Sequence, residues 1–280
     1  MQTIYRWMEA VLPFDYIQYD FMKNALLAVL IITPLFGILG TMIVNNRMAF
    51  FSDALGHSAL TGMAVGVIFG VTDAGLSMVI FAAVFALLLN KIRHSGIAAN
   101  DTVISVFSSL STALGLVILS RGGSFSKYSA LLVGDILSIT PAEILRLLII
   151  LAVTLLFWTF AFNKLHAISL NASLAKSKRI RVALIDNIFV VLIAVIVMLS
   201  IQWVGILIIN ALLILPAAAS RNMAANMREY HLFSVLLSVF SGILGLILSF
   251  YLDMAAGPMI VVVASLLFFV TLLVRPLVKM

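Results

Sequence analysis

The chain has 280 residues, of which 64% are hydrophobic and 10% are charged, and its mean hydropathy is +1.22. Soluble domains carry about 25% charged residues, so this composition excludes a soluble globular protein. The absence of cysteine excludes disulfides and thiolate metal ligands. The apolar runs are continuous rather than alternating with period two, which favours helices over a barrel. The length supplies about eight or nine spans of about 20 residues, predicting an all-α polytopic transmembrane helix bundle.

The first 23 residues differ from the rest of the chain because charges are mixed with aromatic residues. Arg6 and Glu9 flank Trp7, and Tyr16 lies between two aspartates. This is not the basic-then-apolar order of a cleavable signal. We expect residues 1–23 to form an N-terminal interfacial segment, with its aromatic rings at headgroup depth.

Apolar segments follow in chain order and form a single transmembrane domain. They cover about 24–45, 50–71, 75–92, 102–120, 141–162, 184–201, 204–220, 232–252 and 258–275. The long connection 121–140 contains an apolar piece, Tyr128 to Val133, that is too short to cross a bilayer. We expect this connection to be re-entrant or interfacial.

Basic residues indicate the orientation. Loops after alternate segments collect twelve of the seventeen basic residues, namely Arg47, Lys91, Arg93, Lys164, Lys176, Lys178, Arg179, Arg181, Arg221, Arg228, Arg275 and Lys279. The positive-inside rule predicts that these loops and the C-terminus are cytoplasmic, with the N-terminus outside if all the segments span. Orientation accounts for most of the net charge of +6, so we expect no nucleic-acid partner.

The loop 163–182 carries five basic residues and no acidic residue, and it also contains several leucines and isoleucines. Ser169 or Asn171 is a suitable N-cap for a short amphipathic helix over 172–178 on the cytoplasmic surface. Two roles are open for this element: anchoring to anionic lipid headgroups, or docking of a soluble partner.

Small residues and prolines indicate how the helices pack. Gly62, Gly66 and Gly70 form two overlapping GxxxG steps on one face of the second segment, which favours close helix approach. Pro34 and Pro216 lie inside apolar segments, where we expect a kink or a break.

The candidate site is in the passage MAFFSDALGHSALTG, where Asp53 and His57 are four residues apart. Positions i and i+4 share a helix face, so this carboxylate and imidazole are placed to bind one divalent cation. Ionisable groups in apolar segments usually mark what a membrane protein binds or moves. The alternative is structural: Ser52 or Asp53 caps the helix and His57 hydrogen-bonds a neighbour.

The other polar residues are weaker candidates. We expect His94, His166 and His231 to lie on the surface in loops, Asp135 to cap a helix or form a turn, and Asn210 to need a partner within its apolar run. The chain has no GxxxxGK[ST], HExxH or GxSxG motif, which argues against ATP hydrolysis by a phosphate loop and against a metalloprotease or serine hydrolase. We therefore assign no catalytic or cofactor-binding residue.

Three passages resemble the membrane permease subunits of bacterial ABC importers for zinc, manganese or iron. They are NRMAFFSDALGHSALTGMAVGVIFG at 46–70, YSALLVGDILSITP at 128–141 and WVGILIINALLILPAAASR at 203–221. The passage FYLDMAAGP at 250–258 resembles the aromatic-then-AGP turn of the same family. The resemblance runs in order along nearly the whole chain from Lys23.

This resemblance implies a type II ABC importer-like fold and a homodimer of permeases in the bacterial inner membrane. Each copy is expected to dock on a cytoplasmic ATP-binding subunit through the coupling loop 163–182, and an extracytoplasmic metal-binding protein is expected to deliver the cargo. In the family, the positions of Asp53 and His57 are associated with the metal pathway. The loop reads Ala-Lys-Ser-Lys-Arg at 175–179, where family members commonly have Ala-Arg-Ala and then glycine.

The metal and the energy source are open at this stage. Zinc is favoured because 101–141 and the AGP turn look closer to zinc permeases, while manganese and iron are alternatives. We expect a transported divalent ion and no tightly bound cofactor. The alternative from another class is a proton-coupled secondary carrier that uses Asp53 and His57 as a titrating relay. That carrier is expected to contain inverted repeats, and the two halves of the sequence show no convincing self-similarity.

Overall fold

The computed structural model describes residues 2–11, 15–71, 73–96, 99–121 and 134–278, which are helical apart from short turns and connections. The helices are α1 (Gln2–Val11), α2 (Asp20–Asn45), α3 (Ala49–Ile68), α4 (Ala74–His94), α5 (Asn100–Arg121), α6 (Pro141–Leu170), α7 (Ala172–Ser177), α8 (Val182–Val204), α9 (Ile206–Met223), α10 (Met227–Tyr251) and α11 (Ala256–Val278). Short 3-10 turns cover Asp15–Gln18 and Ile136–Ser138. The expected all-α fold is confirmed.

Each predicted apolar segment corresponds to one long helix. Among the described residues, eight helices are long and apolar enough to cross a membrane: α2, α4, α5, α6, α8, α9, α10 and α11. The remaining predicted segment, 50–71, corresponds to α3, a continuous helix of 20 residues. It contains the polar residues of the SDALGHS passage and is not among these eight. The predicted re-entrant piece, Tyr128 to Val133, lies outside the described residues.

The chain divides into two compact units, of which the first contains Met1–Val44, Val133–Leu155 and Trp203–Met280. Within this unit, α9, α10 and α11 pack on one another. The α2 helix packs closely against α10, since the Ser234 hydroxyl donates to the Gly37 carbonyl at 2.7 Å. At its start, buried Lys23 pairs with Glu9 at 2.5 Å and Asp20 at 2.9 Å, which ties α1 to α2. The aromatic N-terminal segment therefore includes a helix that is fixed to the first span.

Two of the passages behind the family resemblance meet inside this first unit. Gly134 and Gly205 both have positive φ, +67° and +79°, and a Cβ on Gly134 would lie within 2.6 Å of backbone atoms of Val204 and Gly205. Gly205 is also the N-cap residue of α9, so it separates α8 from α9. Only glycine allows both backbones to take these conformations at this separation.

The second unit contains Asn45–Leu132 and Leu156–Gln202, and its core is the packing of α3 against α4 and α5. On the α4 side, the Ser77 hydroxyl donates to the Gly62 carbonyl at 2.5 Å, and a Cβ on Gly62 would lie 3.0 Å from the Met78 Cα. On the α5 side, the Thr61 hydroxyl donates to the Ser111 carbonyl. The α3 helix is therefore held on two faces.

The glycine stripe is confirmed at two of its three positions. Gly62 and Gly66 both lie against α4. Gly70 lies beyond the end of α3 with φ +67°, and a Cβ there would meet no atom within 4 Å. Both α2 and α9 continue through their prolines, Pro34 and Pro216, so the alternative of a broken helix is wrong.

Candidate functional site

Asp53 and His57 lie side by side on α3. The His57 Nε2 atom is 3.6 Å from the Asp53 Oδ1 atom, and the two side chains are 38% and 42% exposed, respectively. This separation is longer than that of an ordinary hydrogen bond. The predicted pair is therefore present on one face of α3.

The local packing of α3 explains why this pair is accessible. Phe51, Ser52, Ala54 and Leu55 are buried, as are Gly56 and Ser58, whereas Phe50 is 60% exposed. Phe50, Asp53 and His57 occupy positions i, i+3 and i+7, which share one helical face. The face of α3 that is exposed or half-exposed therefore carries the pair.

The structural alternative, in which Ser52 or Asp53 caps the helix, disagrees with the observed start of α3. The α3 helix begins at Ala49, and its N-cap residue Met48 makes no side-chain cap hydrogen bond. Ser52 lies inside the first turn, where its hydroxyl donates to the Ala49 carbonyl at 3.3 Å. Neither Ser52 nor Asp53 stands at the capping position, so the capping interpretation is wrong.

A cavity of about 680 Å³ within the second unit adjoins Asp53. It is lined by Phe50 and Asp53 of α3 and by Asp101, Thr102, Ile104, Ser105, Val106, Ser108 and Ser109 of α5. Its α5 wall carries one carboxylate and four hydroxyl groups, an unusual density of oxygen atoms for an apolar helix. Water and a hydrated cation are compatible with such a wall, since these oxygens replace part of a hydration shell.

One copy of the chain provides few ligands. Within the described part of the chain, no three His, Asp or Glu side chains lie close enough together to hold a metal ion. Structural zinc sites normally have four protein ligands, so the two groups of α3 are by themselves too few for a closed site of that kind.

The predicted short helix in the basic loop is confirmed with the asparagine as its cap. The Asn171 Oδ1 atom accepts hydrogen bonds from the Ser173 and Leu174 amides at 2.9 and 3.0 Å, at the start of α7. Lys176 in α7 is exposed, and so are the basic residues that follow the helix, Lys178, Arg179 and Arg181. Ala175 is buried. The helix α6 continues to Leu170, so the first part of loop 163–182 is helical rather than a loop.

The weaker candidates are distributed over other helices. His94 is the last residue of α4, His166 lies in α6 and His231 lies in α10, so their prediction as loop residues is wrong. Asp135 caps the turn at Ile136–Ser138, where its Oδ1 atom accepts from the Leu137 amide at 3.1 Å, as expected. Asn210 lies half-buried in α9.

Sequence reasoning missed a buried polar cluster between α4 and α8, which we call the α4–α8 clamp: Asn90, Arg93, Asp186 and Asn187. The Arg93 guanidinium lies 3.1 Å from the Asp186 carboxylate, and their side chains are only 7% and 5% exposed. The sequence pattern identifies Arg93 only as one of the basic residues that indicate the orientation of the chain in the membrane. The available signal was Asp186 itself, because an acidic residue within a predicted span usually has a buried cationic partner.

Comparison with known proteins gives a consistent set of similarities. The model of the ABC 3 transport family matches residues 18–275. The chain is 27% identical to the manganese import system permease protein ScaB of Streptococcus parasanguinis, over 92% of each sequence. It is 29% identical to the high-affinity zinc uptake system membrane protein ZnuB of Haemophilus influenzae, over 92% of this chain and 98% of that protein.

A solved structure shows the same fold. The chain superposes on a chain of PsaBC from Streptococcus pneumoniae, solved in complex with Fab, with a TM-score of 0.79 and 25% sequence identity. The match covers 97% of this chain and 95% of the other. The similarity therefore extends over essentially the whole polypeptide.

Proposed function

The chain belongs to the ABC 3 transport family, and we propose that it is the permease of an ATP-driven importer of divalent transition metal ions, with zinc as the cargo. Its family members are membrane permeases, so the chain is a transport subunit and not itself an enzyme. The observation that carries the metal proposal is the Asp53–His57 pair on the open face of α3, next to the oxygen-rich cavity.

The chemistry of the pair fits a transported ion. An imidazole and a carboxylate are both common ligands of zinc, and two ligands from one chain hold an ion weakly. A second copy of the chain, related by a two-fold axis, would supply a second aspartate and a second histidine. Four such ligands around one ion would complete a tetrahedral zinc site that breaks when the two copies move apart.

The partners follow from what the chain lacks. No phosphate-loop motif occurs in its sequence, so an importer driven by ATP requires a separate ATP-binding subunit. The capped helix α7, with exposed bases after it, is the docking element that we assign to that cytoplasmic subunit. An extracytoplasmic metal-binding protein delivers the ion at the opposite side. The positive-inside bias supports a cytoplasmic C-terminus and residence in the bacterial inner membrane.

Manganese is the second candidate cargo, and a specific observation favours it. Asp101 and the hydroxyl groups of α5 line the cavity beside Asp53, and oxygen ligands suit manganese better than imidazole does. A relative named for manganese import and a relative named for zinc uptake match this chain at similar identity. A proton-coupled secondary carrier has less support, because the family model covers residues 18–275.

The test is uptake of radioactive zinc and manganese by proteoliposomes that contain the permease, its ATPase and its binding protein. Asp53→Asn and His57→Ala are compared with wild type at equal assembly, with Asp73→Asn as the matched carboxylate control, because Asp73 only caps α4. We expect ATP-dependent uptake of one metal to be lost in the first two variants and kept in the control. Normal uptake by both site variants would refute the assignment of the pair.

A further inference from the structure

We infer that the α4–α8 clamp is the mechanical link that passes movement of the docking helix α7 to the metal-binding helix α3. This inference rests on the proposed function, and it assigns positioning roles to Asn90, Arg93, Asp186 and Asn187. All the contacts involved lie within the second unit. The argument has three steps, from α7 to α8, from α8 to α4, and from α4 to α3.

In the first step, α7 is joined to α8 by a tightly hydrogen-bonded turn. The Ile180 amide donates to the Ala175 carbonyl at 3.2 Å, and the Val182 amide donates to the Ile180 carbonyl at 2.9 Å. Ala175 and Val182 are buried, 1% and 7% exposed. A turn with these bonds transmits a displacement of α7 to the start of α8 rather than absorbing it.

In the second step, the first turns of α8 are clamped to the last turns of α4. The Asn90 amide nitrogen donates to the Asp186 carboxylate and to the Asn187 side-chain oxygen, both at 2.9 Å. The Arg93 guanidinium donates to the Asn90 side-chain oxygen at 2.7 Å and to the Asp186 carboxylate at 3.1 Å. His94 adds its Nε2 atom at 3.5 Å from the same carboxylate. Asn90, Arg93 and Asp186 form a closed ring of hydrogen bonds, and Asn187 is attached to this ring through Asn90.

Burial is what makes this cluster a link rather than an incidental surface contact. Asn90 is 2% exposed, and Arg93 and Asp186 are nearly as inaccessible. Separating α4 from α8 would leave a charge unpaired in a low-dielectric region, which is strongly unfavourable. The two helix ends therefore move together.

In the third step, α4 carries α3 with it. The Ser77 hydroxyl donates to the Gly62 carbonyl, and at Gly62 and Gly66 the two helices lie so close that an added Cβ would clash with Met78 or Ser77. Gly62 lies little more than one helical turn beyond His57. A displacement that begins at α7 therefore reaches the ligand pair through packed, hydrogen-bonded contacts, which is the physical basis of coupling between distant sites.

The test measures metal taken up and ATP hydrolysed in the same proteoliposomes and compares their ratio between variants. Asp186→Asn and Arg93→Met break the clamp, and we expect them to lower the ratio by about threefold to tenfold while ATP hydrolysis continues. Arg93→Lys keeps the charge and is expected to stay closer to wild type than Arg93→Met. Asn187→Ala removes one hydrogen bond and no charge, so we expect it to lower the ratio of metal to ATP by a smaller factor. This variant tests the inference if the charge variants fail to assemble.

The matched control is Lys23→Met, which removes another buried cation, paired with Glu9 and Asp20 in the first unit. It is expected to lower thermal stability without changing the ratio of metal to ATP. If the clamp variants assemble and keep the wild-type ratio, or if Lys23→Met lowers the ratio equally, the inference is overturned. Absence of metal uptake by the wild-type assembly itself would instead refute the proposed function, so the two failures are distinguishable.

Discussion

Replacing Gly134 by alanine tests the close backbone crossing between Gly134 and Gly205. At φ +67°, an L-residue loses about 1–2 kcal/mol to backbone strain. The new Cβ would also lie within 2.6 Å of backbone atoms of Val204 and Gly205, which cannot rotate away as a side chain can. Overpacking of this kind costs about 1–3 kcal/mol more. We therefore expect Gly134→Ala to lower the free energy of unfolding by about 2–5 kcal/mol.

Gly70 provides a matched control for the strain component. It has the same φ of +67°, but a Cβ there would meet no atom within 4 Å. Gly70→Ala should therefore cost only the strain, about 1–2 kcal/mol. The assay is reversible unfolding of the purified permease in mixed micelles with increasing denaturing detergent, followed by circular dichroism. Equal losses of stability in the two variants would show that the Gly134–Gly205 crossing does not exist as described.

Three further predictions concern the docking helix, the cavity and the α3–α4 contact. Asn171→Ala removes the cap of α7 at a cost of about 1 kcal/mol, so less ATPase should co-purify with the permease, while Asn171→Asp should retain it. Asp101→Asn should slow the initial rate of metal uptake less than Asp53→Asn does, because Asp101 lines the cavity without an adjacent histidine; an equal loss would make it a principal ligand. Gly62→Ala brings a Cβ to 3.0 Å from the Met78 Cα, and a fall of about 1–3 kcal/mol in unfolding free energy is expected in the same detergent titration; an unchanged value would contradict the α3–α4 packing.

Local patterns predicted the parts of the structure that depend on neighbouring residues. Hydrophobic runs located the long helices, because a span needs about 20 apolar residues whatever it packs against. The capping preference limited the start of α7 to Ser169 or Asn171, of which Asn171 is the cap, and the four-residue spacing placed Asp53 beside His57. These features are determined within one or two helical turns, which is the distance over which a single sequence is informative.

Contacts between distant residues were not predictable in this way. Asp186 and Arg93 are 93 positions apart, and neither residue alone identifies the other as its partner. The end of α6 was misplaced for a related reason: basic residues suggested a loop, but apolar residues such as Leu165 continue the helical period and are buried. Positive charge reports the side of the membrane and does not terminate a helix.

The small number of ligands among the described residues supports the proposed function. A closed site with four ligands on one rigid scaffold would bind the ion too tightly for release, as structural zinc sites do. On this proposal, α3 holds Asp53 and His57 rigidly, since other faces of the helix pack against α4 and α5, and among the described residues no third His, Asp or Glu lies close enough to complete a metal site. Binding then depends on the relative positions of the contributing parts, which an ATP-driven partner can change. On this proposal, Gly62, Gly66 and the Thr61 contact fix α3 so that Asp53 and His57 keep their positions while the other contributing parts move.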